Sequence, residues 1–133
     1  MKLCMIGTGY VGLVSGTCFA DLGNEVICVD KDFEKINRLK KSIIPIYEPG
    51  LEELVKKNFK AGRLNFSTNL PEAIQKSNII FICVGTPTIK NKYEADLSQV
   101  YSAANEIRNN IKSFKIIINK STVPVTTGVE IEK

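Results

Sequence analysis

Apolar residues along this chain fall into two alternating patterns: short unbroken runs, and longer stretches with helical spacing. Lys2 to Ile6 reads as a strand. Val11 to Leu22 reads as a largely buried helix, closed by Gly23 as its C′ residue. Glu25 to Asp30, rich in Val and Ile, is a second strand. Phe33, Ile36 and Leu39 mark one helix face, and Leu51, Leu54, Val55 and Phe59 mark another. Pro45, Pro49 and Gly50 make the segment between those helices irregular. Leu64 to Ser67 is a short third strand. Asn69 and Glu72 form a capping pair for the next helix, with Pro71 early in it, where a missing N–H costs nothing. Asn78 to Val84 is apolar on both faces, as a central parallel strand must be. Asp96 with Gln99 reads as a second capping box. It opens a helix carrying Leu97, Val100, Ala104, Ile107 and Ile111 on one face. Lys115 to Asn119 is a fifth strand, and another helix starts at Thr126. Strands alternating with helices predict a parallel sheet covered on both faces.

Composition narrows the class. A length of 133 residues, 44% hydrophobic and 24% charged, suits one soluble globular domain and excludes two. The longest apolar run, Ile79 to Val84, falls far short of the roughly 20 residues of a membrane-spanning helix. A net charge of +4 suits a small anionic ligand and is too weak and scattered for nucleic acid. The densest basic stretch, Lys56, Lys57, Lys60 and Arg63, reads as a solvated helix face. Cys4, Cys18, Cys28 and Cys83 are too far apart in sequence for a CxxC motif, and each sits in an apolar segment. They are expected to be buried and unpaired, in a reducing, cytoplasmic compartment, with no metal site.

Gly7-Thr8-Gly9-Tyr10-Val11-Gly12 is a GxGxxG placed between a strand and a helix, the context in which it binds a dinucleotide. Gly7 permits the tight turn, Gly9 lets backbone approach a pyrophosphate, and Gly12 lets helix and strand pack closely. Asp30 ends the second strand, 18 residues past Gly12. A carboxylate there can accept from both ribose hydroxyls and repels a 2′-phosphate, so NAD is favoured over NADP. The fold expected is therefore a Rossmann-like, doubly wound parallel sheet, truncated after the fifth strand.

Three further stretches carry a family resemblance: Pro45-Ile46-Tyr47-Glu48-Pro49-Gly50-Leu51, Val84-Gly85-Thr86-Pro87 and Lys120-Ser121-Thr122-Val123-Pro124-Val125. With the glycine loop, they make the chain resemble, in order and spacing, the N-terminal NAD-binding domain of the UDP-glucose/GDP-mannose dehydrogenase family. The nearest likeness is to bacterial enzymes that act on UDP-glucose. The resemblance implies oxidation of the C6 hydroxyl of a UDP-sugar to a carboxylate, UDP-glucose to UDP-glucuronate, with two NAD per turn. The two hydride transfers are joined by a thiohemiacetal and a thioester on a cysteine. It implies that Gly7, Gly9, Tyr10, Val11, Gly12, Asp30, Lys35, Thr86 and Thr122 bind the cofactor, Asp30 and Lys35 at the adenosine ribose. Thr122 also helps position the catalytic water. Plainer readings stand beside these. Thr86 and Thr122 could cap turns before prolines, Lys35 could be an exposed helix lysine, and Tyr47 and Glu48 could only fix their loop.

Two departures from the family pattern are Ser42 and Thr126, where glycine is usual; a positive φ at either position means strain. The family's second, sugar-binding domain and its cysteine nucleophile have no counterpart here, and the chain contains no histidine. Residues 1–133 are thus expected to be an incomplete NAD-binding domain, inactive alone, from an enzyme that could be a homo-oligomer. GDP-mannose or a UDP-N-acetyl sugar is the alternative substrate, and a stand-alone NAD-binding or sensing module is the alternative class.

Overall fold

A computed structural model describes residues 1–132. Five strands, β1 (Lys2–Ile6), β2 (Glu25–Val29), β3 (Leu64–Ser67), β4 (Ile79–Ile82) and β5 (Ile116–Asn119), form one sheet in the order β3-β2-β1-β4-β5. Every neighbouring pair is parallel. The helices are α1 (Tyr10–Asp21), α2 (Phe33–Lys40), α3 (Leu51–Lys60), α4 (Leu70–Lys76), α5 (Ser98–Asn110) and α6 (Thr127–Glu132). The chain winds outward from β1 to β3, then returns to place β4 against the other side of β1. Strand order therefore reverses between β1 and β4. In an open α/β sheet the crevice for a ligand lies outside the carboxyl ends of the strands at that reversal.

Residues alternate between two cores, which explains why the strands are apolar on both faces. Leu3, Met5, Val26, Cys28 and Phe81 face one core with Leu13 of α1, Ile36 and Leu39 of α2, and Leu51 and Val55 of α3. Cys4, Ile6, Val29, Ile80 and Ile82 face the other with Ala73 and Ile74 of α4 and Val100, Ala103 and Ile107 of α5. The outer strand β5 is less covered: Ile116 and Ile117 are 48% and 41% exposed.

Helix α1 crosses the sheet on small residues. A Cβ on Gly16 would sit 2.8 Å from Cys28 Sγ and 3.0 Å from Met5 Cγ. Gly12, Gly16 and Ala20, one helical turn apart, are all buried. Cys18, two positions beyond Gly16, points some 200° away from that face and is exposed. The expected burial of this cysteine is therefore wrong, whereas Cys4, Cys28 and Cys83 are buried.

Most element ends fall within a residue or two of expectation. β2 stops at Val29, one residue before Asp30; β4 and β5 are shorter than the expected Asn78–Val84 and Lys115–Asn119; α1 begins at Tyr10. Gly23, at φ +96°, ends α1, and its N–H donates to Ala20 O. The Asn69–Glu72 cap forms, with Glu72 N–H donating to Asn69 Oδ1 and Asn69 Nδ2 to Glu72 Oε2. The Asp96–Gln99 box does not. Asp96 Oδ1 accepts from Ser98 N–H at 2.9 Å, one residue too early, so Leu97 is the N-cap and has no side-chain bond. The buried face of α5 runs through Ala103 rather than Ala104. Lys57 pairs with Asp21, and Arg63 reaches Ala20 O and Asn58 Oδ1, so half of the basic stretch ties α3 to α1. Ser42 does adopt a positive φ, 59°, whereas Thr126 is not among the described non-glycine residues that do.

Candidate cofactor site

The site begins where β1 ends. Gly7 turns the chain at φ +102°, and a Cβ there would lie 2.6 Å from Cys83 O, so conformation and space both require glycine. Gly7 N–H is held by Val29 O at 2.8 Å. A Cβ on Gly12 would overlap Gly7 O at 1.9 Å, so the helix start rests directly on the turn. Gly9 differs, because a Cβ there meets nothing within 4 Å. No described residue demands glycine at that point, and Gly9 lies at the edge of an open cavity. The first intrahelical bond of α1 is Leu13 N–H to Gly9 O, at 3.0 Å. The N–H groups of Tyr10, Val11 and Gly12 therefore lack intrahelical acceptors and lie at the positive end of the helix dipole, the geometry that holds a phosphate.

Beside this loop lies a cavity of about 400 Å³, bounded by Ile6, Gly7, Thr8 and Gly9 on one side and by Asp30, Lys31 and Lys35 on another. Leu70, Val84, Gln99, Ser102, Ala103 and Glu106 close it from the segment after β4 and the helices α4 and α5. Its mostly hydrocarbon walls and few polar groups suit a nucleoside.

Asp30 is the most strongly held side chain in the wall. Its Oδ2 accepts from Thr8 N–H at 3.0 Å, from Thr8 Oγ1 at 2.6 Å and from Lys35 Nζ at 3.1 Å. Its Oδ1 accepts from Asp32 N–H at 3.1 Å. Partial burial acts to raise the carboxyl's pKa. The bonds from the Thr8 hydroxyl, the Asp32 and Thr8 N–H groups and the Lys35 ammonium outweigh it and bring the value down to about 2. Asp32 caps α2 by accepting from Lys35 N–H at 3.0 Å, and this fixes the turn from which Lys35 reaches back to Asp30. Oδ2 thus holds three donors and Oδ1 one, so Oδ1 keeps the greater accepting capacity.

Of the residues expected at the site, the structure gathers Gly7, Gly9, Asp30 and Lys35 around the cavity, and Tyr10, Val11 and Gly12 form the adjoining helix end. The Tyr10 side chain turns the other way. Its hydroxyl lies 2.6 Å from Glu48 Oε2 and 2.7 Å from Tyr47 O, tying the irregular Pro45–Gly50 loop to the start of α1. The bond to Glu48 pushes the phenol's pKa up. Thr86 and Thr122 follow the carboxyl ends of β4 and β5, on the same sheet edge, but neither lines the cavity. Ser121 Oγ donates to Val84 O at 2.8 Å and joins the two strand exits. Thr8 is the polar residue that sequence reasoning missed: it is fully buried, and both its donors meet Asp30. A hydroxyl residue inside a glycine loop, paired with an acid at the end of the second strand, is the signal that could have found it.

A parallel sheet with strand order 3-2-1-4-5, a glycine turn opening a helix at its switch point and an acid on the neighbouring strand end define a dinucleotide-binding Rossmann domain. Residues 1–133 match the model of the UDP-glucose/GDP-mannose dehydrogenase family, NAD binding domain. The chain belongs to this family and is its NAD-binding domain. It is 56% identical over 133 residues to a UDP-glucose 6-dehydrogenase of Rhizobium meliloti (strain 1021), covering 100% of this chain and 30% of the relative. It is 57% identical over 127 residues to the UDP-glucose 6-dehydrogenase TuaD of Bacillus subtilis (strain 168), covering 96% and 27%. Its fold is similar to that of a GDP-mannose dehydrogenase ternary complex from Pseudomonas aeruginosa, with TM-score 0.94, 36% identity, and coverage of 98% of this chain and 30% of the other. The chain thus spans about 30% of the length of the curated relatives it matches.

Proposed function

We propose that this chain holds NAD in the cavity at the switch point and is the cofactor-binding part of an enzyme that oxidises UDP-glucose to UDP-glucuronate. The single observation that carries the binding reading is the ionised Asp30 carboxylate, fixed beside the glycine loop. Its charge accepts from a ribose hydroxyl and repels a 2′-phosphate. The N–H groups of Tyr10, Val11 and Gly12 receive the pyrophosphate, and Val11, which is exposed, offers apolar surface beside it. When bound, NAD supplies the hydride acceptor, and two are consumed in taking an alcohol to a carboxylate. Identities of 56% and 57% to UDP-glucose 6-dehydrogenases, against 36% to a GDP-mannose dehydrogenase, support UDP-glucose as the sugar nucleotide.

In this reading Thr86 and Thr122, past the carboxyl ends of β4 and β5, serve the reacting end of the cofactor, and Thr122 helps orient the attacking water. The nucleophile is not among this chain's cysteines. Burial pushes the Cys4 thiol up to about 12 and Cys83 up to about 11, and raises Cys28 as well. Cys18, though exposed, lies about 12 Å along α1 from Tyr10. Residues 1–133 alone therefore bind the cofactor without turning over UDP-glucose. Four free thiols support a cytoplasmic setting, and no described helix is long and apolar enough to cross a membrane.

Titration calorimetry with NAD and NADP tests the binding reading: tighter binding of NAD is expected, and equal affinities refute the role of Asp30. NADH formation from UDP-glucose tests the rest, with turnover expected from the whole protein and none from this chain. Steady turnover by residues 1–133 overturns the division of labour. A whole protein that binds NAD but oxidises no nucleotide sugar is a binding module instead.

A further inference from the structure

Asp30 is not free to orient itself. The two fixed donors on its Oδ2 come from one residue of the glycine loop, because the Thr8 N–H and the Thr8 hydroxyl converge on that oxygen at 3.0 and 2.6 Å, while Oδ1 accepts only the Asp32 N–H at 3.1 Å. Thr8 is fully buried, so its hydroxyl has no water to compete for it, and the turn at Gly7 fixes its backbone. The third donor on Oδ2, Lys35 Nζ, sits at the end of a long, partly exposed side chain. Without the Thr8 hydroxyl, Oδ2 would be shared between a backbone N–H and a mobile ammonium. The carboxylate could then turn toward Lys35, which would neutralise more of its charge.

We infer that Thr8 is a positioning residue that sets cofactor selectivity: by occupying Oδ2 of Asp30 it presents Oδ1 to the adenosine ribose and keeps the carboxylate's charge facing the 2′ position. The inference rests on the NAD-binding reading above. It links the two halves of the site mechanically, since the loop that offers N–H groups to the pyrophosphate also aims the ribose acceptor. An O–H donor to a charged acceptor at 2.6 Å is a short, strong hydrogen bond, and its loss in a partly buried site is felt by whatever the acceptor binds next.

The test compares Thr8→Val, which keeps shape and removes the hydroxyl, with Thr8→Ser, which keeps the hydroxyl. NAD and NADP affinities are measured by calorimetry, and thermal unfolding is followed on the same samples. Thr8→Val is expected to weaken NAD about tenfold while NADP changes less, so that the preference for NAD shrinks. Thr8→Ser is expected to restore both affinities to within about twofold of wild type. If Thr8→Val does not fold, Thr8→Ala removes the same hydroxyl with less bulk and is read in the same way. A variant that lowers the melting temperature but leaves the NAD:NADP ratio unchanged shows a purely structural threonine and overturns the inference, as does an equal loss for both cofactors. A wild-type protein without preference for NAD refutes the underlying reading instead, so the two failures are distinguishable.

Discussion

Gly9→Ala separates cofactor binding from folding. Gly9 is the N-cap of α1 with φ −75° and ψ −163°, angles that alanine adopts without strain. A Cβ built there has no protein atom within 4 Å. The folded state therefore loses nothing, while the unfolded chain loses freedom. Stability should stay level or rise by about 0.4–1 kcal/mol, no more than a few °C in Tm. The added methyl group occupies the space over which the pyrophosphate passes and pushes it off the N–H groups of Tyr10 to Gly12. Losing one such hydrogen bond to a charged phosphate costs about 1.5–3 kcal/mol, or roughly 10- to 100-fold in Kd. Gly12→Ala is the contrasting control. Its Cβ would overlap Gly7 O at 1.9 Å and sit 3.0 Å from Gly7 C, both backbone atoms, so folding itself suffers by about 1–3 kcal/mol or more. Thermal melts and NAD titrations on both variants read the two effects separately. A Gly9→Ala protein with wild-type stability and wild-type NAD affinity would refute the path of the phosphate over Gly9. A marked loss of stability would refute the open geometry at that position.

Ser42 sits at φ 59°, so Ser42→Gly should relieve strain and raise stability by up to about 1 kcal/mol, read by chemical denaturation; a destabilised variant contradicts this. Asp30 has a folded-state pKa lowered to about 2, so its contribution to stability is present above its unfolded value near 4 and is lost as pH falls from there through 2. That loss is on the order of 1–2 kcal/mol after solvent screening; Asp30→Asn should flatten this part of the acid-unfolding profile, and an unchanged profile rejects the assignment. Under native conditions a thiol reagent should modify Cys18 alone, with Cys4, Cys28 and Cys83 reacting only on unfolding, as mass spectrometry can count.

The sheet was legible because both of its faces are buried, which forces continuous apolar runs such as Ile79 to Ile82 between turn residues. The doubly wound topology came less from periodicity than from Gly7 and Gly12, since a glycine turn between strand and helix fits the centre of such a sheet; the order of the strands across the sheet was not read. The face of α1 was not legible. That helix is apolar all round, so Cys18 looked as buried as Leu13, and only the spacing of Gly12, Gly16 and Ala20 marks the side that meets the sheet. The failed box at Asp96 has a similar cause, because a carboxylate can close a local turn on Ser98 as readily as cap a helix. At the site, Asp30 could be read from its place after an apolar run. Thr8 was missed because its partner lies 22 residues away, although the hydroxyl in the loop and the acid after β2 both stand in the sequence. The Tyr10–Glu48 bond, across 38 residues, was hidden for the same reason.

Under the proposed function, the cavity between the glycine loop, Asp30 and α5 receives the adenosine half of NAD. Backbone amide NMR shifts followed during an NAD titration test it most directly. The largest changes are expected at Thr8 to Gly12, at Asp30 and Lys31, and at Ser102 and Ala103 across the cavity, with little change at the distant end of α3 near Lys60. Saturable shifts centred elsewhere, with Gly9 and Asp30 unmoved, would contradict it.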